Sequence, residues 1–269
     1  MKTINIKHWT SDKDIKFLFS ILKKEKEEVR FIGGCVRDLI IKKRDSDIDL
    51  ATTIVPIQVL KILKKSKIKT LVSGISHGTV IAFINKKKFE ITTLRKDIKT
   101  DGRHAIVKYT GDWVVDSQRR DFTINAISCD FKGGLYDYHN GIDDLKKGKI
   151  NFIGDTTKRI KEDYLRILRF FRFYAYYGKN NLKKTDLKIC KDCSPFLRKL
   201  SAERIYSEFK KILEIGAGSE PHVSYIKSKD FVYFILEKTK QRSPIKKIKS
   251  ENFFYKISLV FFKHQIKKK

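Results

Sequence analysis

Near the start of the chain, Ile15, Phe17, Leu18, Ile21 and Leu22 recur at helical spacing, which predicts a helix from Asp12 to about Lys26 capped by Thr10 or Ser11. The period then shortens. Val29 to Ile32 is a short apolar run that stops at Gly33-Gly34, predicting a strand, a tight turn and a helix from Cys35 to about Lys42. Ile48 to Ala51 predicts a second strand, and Pro56 opens a helix through Leu63, because proline suits a first turn. Thr79–Asn85 and Lys88–Thr93, separated by Lys86-Lys87, predict a hairpin. Lys96 to Ala105 is polar and contains Asp101-Gly102, so a long loop is expected there. The pattern turns helical from Arg119 through Ile127, and a second hairpin pairs Cys129-Asp130-Phe131 with Leu135-Tyr136-Asp137. Beyond about Asp143 strand signals fade, and helices are predicted over roughly 156–177 and 201–213. The chain therefore divides near residue 150 into a mixed α/β part and an all-helical part.

Composition narrows the classes. A hydrophobic content of 41% in 269 residues suits a globular protein with a sizeable core. No stretch approaches the roughly 20 uncharged apolar residues of a membrane span, and the N-terminal segment lacks the apolar core of a signal peptide. Cys35, Cys129, Cys190 and Cys193 lie far apart except for the last pair, which has CxxC spacing but no second pair to complete a zinc site; a cytoplasmic chain with reduced thiols is the expectation. A net charge of +29 favours a polyanionic partner through attraction and counterion release. Lysine-rich coding bias is the competing explanation, since 46 of the 60 basic residues are lysine. The 14 arginines are therefore more informative than the lysines.

Asp47-Ile48-Asp49 sets two carboxylates two residues apart at an apolar strand, where alternate residues share a face. Like charges there raise each other's pKa unless a cation joins them, and hard oxygen ligands suit Mg²⁺. By itself Asp-x-Asp also ends many surface strands. The glycine pair about a dozen residues earlier changes the balance. Backbone N–H groups at a strand–turn–helix can hold a phosphate, and Arg37, one turn into the helix, can reach the same anion. Phosphate cradle and metal ligands then share one crevice, with Gly34 and Arg37 on one side and Asp47 and Asp49 on the other. Glu90, in Phe89-Glu90-Ile91, is the candidate third carboxylate, with a plain hairpin-edge charge as the alternative. His77 is expected to fix the turn before a strand.

These residues resemble a known family. Phe31-Ile32-Gly33-Gly34-Cys35-Val36-Arg37-Asp38, Arg44 and Asp47-Ile48-Asp49-Leu50-Ala51-Thr52 look like the head signature of class II tRNA nucleotidyltransferases, a group that includes bacterial poly(A) polymerases. The likeness continues, in the family's order, at His77-Gly78-Thr79-Val80, Phe89 to Arg95, Asp101-Gly102-Arg103, Arg119 to Ala126, Glu162 to Phe173 and Ser201 to Ile205. The resemblance implies an α+β fold: a nucleotidyltransferase head with a mixed β-sheet and flanking helices over 29–150, preceded by a helix within 1–28 and followed by a helical neck over 151–218. A short helical body over 219–269 would complete the chain. It implies metal binding by Asp47 and Asp49, nucleotide contacts at Gly34, Arg37, Arg120, Asp163, Arg166, Arg169 and Arg172, and placement of ribose and phosphates by Arg120 and Asp121, assisted by Asn125.

The residues support that implication independently. Asp163, Arg166, Arg169 and Arg172 recur every three residues, along one broad side of a predicted helix. Three arginines in seven residues suggest a need for planar forked donors, although an ion-paired neck helix would use them too. A carboxylate that accepts from an amino group beside a guanidinium that donates to ring acceptors matches the pairing edges of cytosine and adenine, and mismatches those of uracil and guanine. Asp163 with Arg166 is expected to select C and A this way, leaving Arg169 and Arg172 for the triphosphate. The expected activity is template-independent addition of CCA to the 3′ end of tRNA from CTP and ATP, with two Mg²⁺ ions serving the phosphoryl transfer.

The departures are Lys43-Arg44 where the family usually has Gly-Arg, and a region after the neck of only about 50 residues. A second chain completing the RNA grip is one answer to that shortfall. Poly(A) addition, CC-only or A-only addition, and a non-catalytic RNA-binding remnant are the rival functions. A sugar transferase using Asp-x-Asp leaves the arginine-bearing helix unexplained.

Overall fold

A computed structural model describes residues 2–23, 27–43, 47–72, 78–100, 105–179 and 182–214. Arg44, His77, the Asp101-Gly102-Arg103 run and the expected 219–269 body lie outside the described residues. The chain forms two compact units, one of residues 1–146 and 151–154 and a second of 147–150 and 155–269. The boundary falls where the hydrophobic pattern changes period.

The first unit opens with α1 (Lys7–Thr10) and α2 (Lys13–Leu22). The cap of α2 is Asp12, whose side chain accepts from the backbone N–H groups of Asp14 and Ile15, rather than the expected Thr10 or Ser11. A separate first turn, α1, occupies the segment where those caps were placed. Ile15, Leu18, Phe19 and Leu22 face the core, whereas Phe17, expected inside, is exposed. At 3.6 residues per turn Phe17 lies nearly opposite Phe19, and only one of them can face inward.

Then come β1 (Val29–Ile32), α3 (Gly34–Ile40), β2 (Asp49–Thr52), α4 (Pro56–Lys65), β3 (Lys69–Leu71), β4 (Thr79–Ile84) and β5 (Lys87–Thr93). Pro56 opens α4 as its pre-set φ favours. The hairpin β6 (Arg95–Thr100) and β7 (Ala105–Tyr109) follows, then α5 (Trp113–Gln118), a 3₁₀ turn (Thr123–Asn125), β8 (Ser128–Cys129), β9 (Leu135–Tyr136) and α6 (Gly141–Lys147). Seven strands form one sheet in the order β3-β4-β5-β2-β1-β8-β9. β2 and β5 run parallel while the other neighbours are antiparallel, so the sheet is mixed, as expected. Phe31, Leu50, Val80, Phe89 and Ile91 pack from one face against α2, α3 and α4 residues including Leu18, Leu22, Val36, Val59 and Leu63. The other face carries the charged residues described below.

Two expectations fail in this unit. The predicted loop over 96–105 is largely a two-stranded ladder, β6 with β7, with a register shift between Asp97 and Lys99. In β6 the half-buried positions are the charged Arg95 and Asp97 while Ile98 points to solvent, so that strand alternates without a hydrophobic signature. The helix predicted from Arg119 to Ile127 instead starts at Trp113, because Asp112 accepts from the N–H groups of Val114 and Val115. It ends at Gln118, and residues 121–129 are buried on all sides.

The second unit contains α7 (Thr156–Glu162), α8 (Leu165–Tyr177), α9 (Lys184–Cys193) and α10 (Ala202–Glu214). The single helix expected over 156–177 is broken at Asp163, which is extended (φ −154°, ψ 107°) and whose carboxylate accepts from the N–H of Leu165 to start α8. α8 packs on α10 and α7 on α9. No helix among the described residues is long and apolar enough to cross a membrane.

Candidate active site

Within the first unit the site begins at the end of β1. Gly33 takes φ 70°, a left-handed backbone region that penalises any Cβ, and its N–H donates to the carbonyl of Ile127 at 3.0 Å. A Cβ on Gly33 would lie 3.6 Å from Nη1 of Arg120, and one on Gly34 would lie 3.6 Å from Nη2 of Arg37. Two guanidinium groups therefore flank the bare backbone of the bend.

Both are held by buried partners. Arg37 donates from Nε to Asp38 at 2.9 Å and from Nη1 to Oδ1 of Asn125. The amide of Asn125 in turn donates to Oδ1 of Asp121 at 3.0 Å, and that oxygen also accepts from the N–H of Phe122 at 2.9 Å. Asp121 and Asn125, expected near ribose and phosphate, thus brace Arg37 through a chain of hydrogen bonds. Arg120 is gripped from behind by Asp116, whose Oδ2 accepts from its Nε at 3.3 Å and its Nη2 at 3.0 Å.

The carboxylates stand on the adjoining strands. Asp49 opens β2 and is in parallel register with Glu90 on β5, while Asp47 lies two residues upstream and is exposed. Burial pushes the Asp49 carboxyl up to about 6, and the negative charges of Glu90 and Asp47 add to that shift; Arg120 and Lys88 oppose it. Glu90 is paired with Lys88 at 2.6 Å on the outer side of the strand. Among the described residues no three His, Cys, Asp or Glu side chains converge as a metal cage. The donor set therefore suits a cation that takes one or two carboxylates and completes its shell with water and phosphate oxygens, as Mg²⁺ does. A carboxyl raised by burial and then by its acidic neighbours is one that such a cation would relieve, so the residues fit the metal.

In the second unit, Asp163 accepts at Oδ2 from Arg204 of α10 at 2.8 Å. Arg166, expected to read a base edge together with Asp163, donates to Glu162 and to the carbonyl of Arg159, each at 2.7 Å. The break in the helix at Asp163 turns its carboxylate toward α10, while Arg166 finds Glu162 one turn back. Arg172 donates to the buried Glu208 at 2.6 Å, with Arg169 3.6 Å from the same carboxylate. Both arginines also lie over the ring of Phe173, at 4.3 and 5.4 Å. The ion-paired alternative weighed for this helix is thus present in the structure, and Ser201 to Ile205 does begin the helix that braces the arginine-bearing one.

Residues 29–151 match the Poly A polymerase head domain. The mitochondrial CCA tRNA nucleotidyltransferase 1 of Homo sapiens is 45% identical over 205 residues, which is 74% of this chain and 46% of that protein. The solved Bacillus stearothermophilus CCA-adding enzyme in complex with CTP is similar at TM-score 0.68 and 29% identity, covering 83% of this chain and 51% of that one. A tRNA nucleotidyltransferase complexed with a primer tRNA and an incoming ATP analog gives TM-score 0.64 at 25% identity, over 82% of this chain and 62% of that one.

Residues 29–151 thus carry a Poly A polymerase head domain, and the chain is similar to CCA-adding enzymes. It spans about half the length of the curated relatives it matches, 46% of the human protein. Gly34, Arg37, Asp47, Asp49, Glu90, Arg120 and Asp121 all belong to the first unit. Three residues were missed. Asp116, 2% exposed, holds Arg119 as well as Arg120, and its only trace in the sequence is the Asp-x-x-Arg-Arg spacing at the end of α5. Arg204 and Glu208 lie four residues apart on α10, at the spacing that points side chains to one face, but nothing in the sequence names their partners.

Proposed function

We propose that this chain adds C and A nucleotides to the 3′ end of tRNA from CTP and ATP, with release of pyrophosphate. The observation that carries the reading is the like-charge crowding of Asp49 with Asp47 and Glu90, beside a glycine bend flanked by two guanidinium groups. The names of the relatives support the choice of tRNA and of these nucleotides.

In this reading the triphosphate lodges against Gly33-Gly34, with Arg37 and Arg120 donating to its oxygens. Asp47 and Asp49 hold Mg²⁺, which when bound supplies charge neutralisation for the triphosphate and acidifies the RNA hydroxyl; two ions are the expected number. The 3′-hydroxyl oxygen forms a bond to the α-phosphorus, the bond from that phosphorus to the α,β-bridging oxygen breaks, and pyrophosphate leaves with its electron pair. The hydroxyl proton passes to solvent. Catalysis then rests on positioning and charge, with little covalent work for the protein.

Base choice falls to Asp163 and Arg166. Oδ1 of Asp163 accepts from the N–H of Leu165, and a carboxylate oxygen can accept more than one hydrogen bond, while Arg166 carries N–H donors besides the Nη1 that meets Glu162. A cytosine or adenine edge can therefore be met without dismantling the helix. Four free, buried cysteines suit a reducing compartment, and the reading is of a cytoplasmic enzyme.

The test uses purified chain, Mg²⁺ and tRNA lacking its CCA end, with labelled CTP and ATP supplied singly and together. Two additions with CTP alone and a third only when ATP is present are expected. A long ladder with ATP alone would make it a poly(A) polymerase, and absence of any addition would overturn the enzymatic reading.

A further inference from the structure

We infer that Asp116 is a positioning residue for nucleotide addition: its buried carboxylate fixes Arg120 so that the far edge of that guanidinium lies against the Gly33 bend. The inference deepens the proposed function and rests on it.

The geometry is directional. Asp116 takes two of the three Arg120 nitrogens, Nε and Nη2, on a single oxygen. Nη1 is on the opposite edge, and it is the atom 3.6 Å from where a Gly33 Cβ would stand. The carboxylate is itself fixed, because its other oxygen accepts from Nε of Arg119 at 2.8 Å and from the N–H of Arg95 at 3.1 Å. Asp116 is thereby tied to the start of β6 and to its own helix, and it cannot follow Arg120 if that side chain swings away. Planar forked geometry lets one carboxylate set both the position and the tilt of a guanidinium, which a single point charge would not.

Arg95, Arg119 and Arg120 gather around Asp116, with Asp97 paired to Arg95 at 3.3 Å. Burial pulls Arg119 down to about 10, and the Asp116 charge opposes that shift. A carboxylate with only a packing role has no need to leave one guanidinium edge directed at the bend.

The experiment is a double-mutant cycle on the full chain with Asp116→Asn, Arg120→Met and the double variant. Steady-state addition of CTP and ATP to tRNA is measured alongside equilibrium binding of labelled CTP with Mg²⁺. Asp116→Asn is expected to raise the KM for CTP and ATP alike by about 10- to 100-fold, with the KM for tRNA unchanged. The double variant is expected to lose no more than Arg120→Met alone. Losses that multiply, or a KM for tRNA that rises in step, overturn the inference. Should Asp116→Asn fail to fold by circular dichroism, Arg120→Lys decides: it keeps the charge but cannot fork between carboxylate and bend, so a loss close to that of Arg120→Met is expected and wild-type kinetics overturn the idea. Binding separates the two readings. A wild type that extends no RNA while the cycle on CTP binding stays coupled removes the tRNA function and leaves the Asp116 assignment standing.

Discussion

The two units handle charge in opposite ways. In the head, Asp47, Asp49 and Glu90 bring like charges to one sheet face, with the Asp49 carboxyl raised to about 6 by burial and by those neighbours. In the neck, Asp163, Arg166 and Arg172 each meet an opposite charge on α7 or α10. The head thus gathers like charge that a cation would relieve, whereas each of these neck residues already has a counter-ion. A metal–phosphate site gains from unresolved charge. A base-reading site gains from side chains whose directions are already fixed, because a mismatched edge is rejected only if the protein groups cannot turn to accommodate it.

That contrast is broken or kept most decisively by Asp49→Ala. Loss of the ligand is expected to cut CTP addition by about 10³-fold or more while circular dichroism stays native. Substantial residual turnover in a single-turnover assay would place the chemistry elsewhere. Glu208→Gln tests the neck side. Glu208 is buried and shared by Arg172 and Arg169, and removing its charge leaves those arginines without their common partner. Breaking a buried pair of this kind costs on the order of 3 kcal/mol, to be read as a lower urea midpoint. An unchanged midpoint would mean that the arginine-bearing helix is held by packing alone.

Legibility in the sequence followed the range of the interactions. The glycine bend, the Asp-x-Asp strand and most other strands are local patterns, and the structure has them within a residue or two of their expected bounds. The β6–β7 hairpin was not legible, because the half-buried positions of β6 are Arg95 and Asp97, charges paired with each other, and among the described residues only Val107 and Tyr109 of β7 carry an apolar inward pattern. Partner choice in the neck was not legible either. Asp163 and Arg166 are three residues apart, and spacing alone suggested that they work as a pair. The extended backbone at Asp163 instead sends its carboxylate 41 residues onward to Arg204. Periodicity names the residues on a face; only the tertiary packing names what each one meets.

Asp163→Ala sharpens the neck side of the contrast. If the head supplies the chemistry and the neck the choice, this variant keeps turnover and loses discrimination, accepting UTP and GTP at the cost of about 1–3 kcal/mol of selectivity. The measurement is the ratio of kcat/KM for CTP to that for UTP. A loss of turnover as deep as that of Asp49→Ala, with the ratio preserved, would erase the division of labour between the units.

The smallest effect expected is also the one of unusual sign. The Asp49 carboxyl is raised in the folded chain, from the ordinary aspartate value of 3.8 to about 6, chiefly by burial and then by Glu90 and Asp47. A raised acid favours folding while it is protonated, so its stabilising contribution is present at low pH and is lost as pH climbs from the unfolded value through the folded one. Above about pH 6 the ionised side chain opposes folding of the metal-free protein. Asp49→Asn, which keeps the shape and removes the charge, should therefore stabilise the chain in the presence of a chelator by about 1–2 kcal/mol at neutral pH. The gain should shrink toward zero near pH 4, where the wild-type carboxyl is protonated in the folded state. Adding Mg²⁺ with CTP should reverse the order of the two melting temperatures, because only the wild type can bind the complex through Asp49. A variant less stable than wild type under chelation would show that Asp49 already has a compensating partner in the folded head, and the contrast between the two units would not hold.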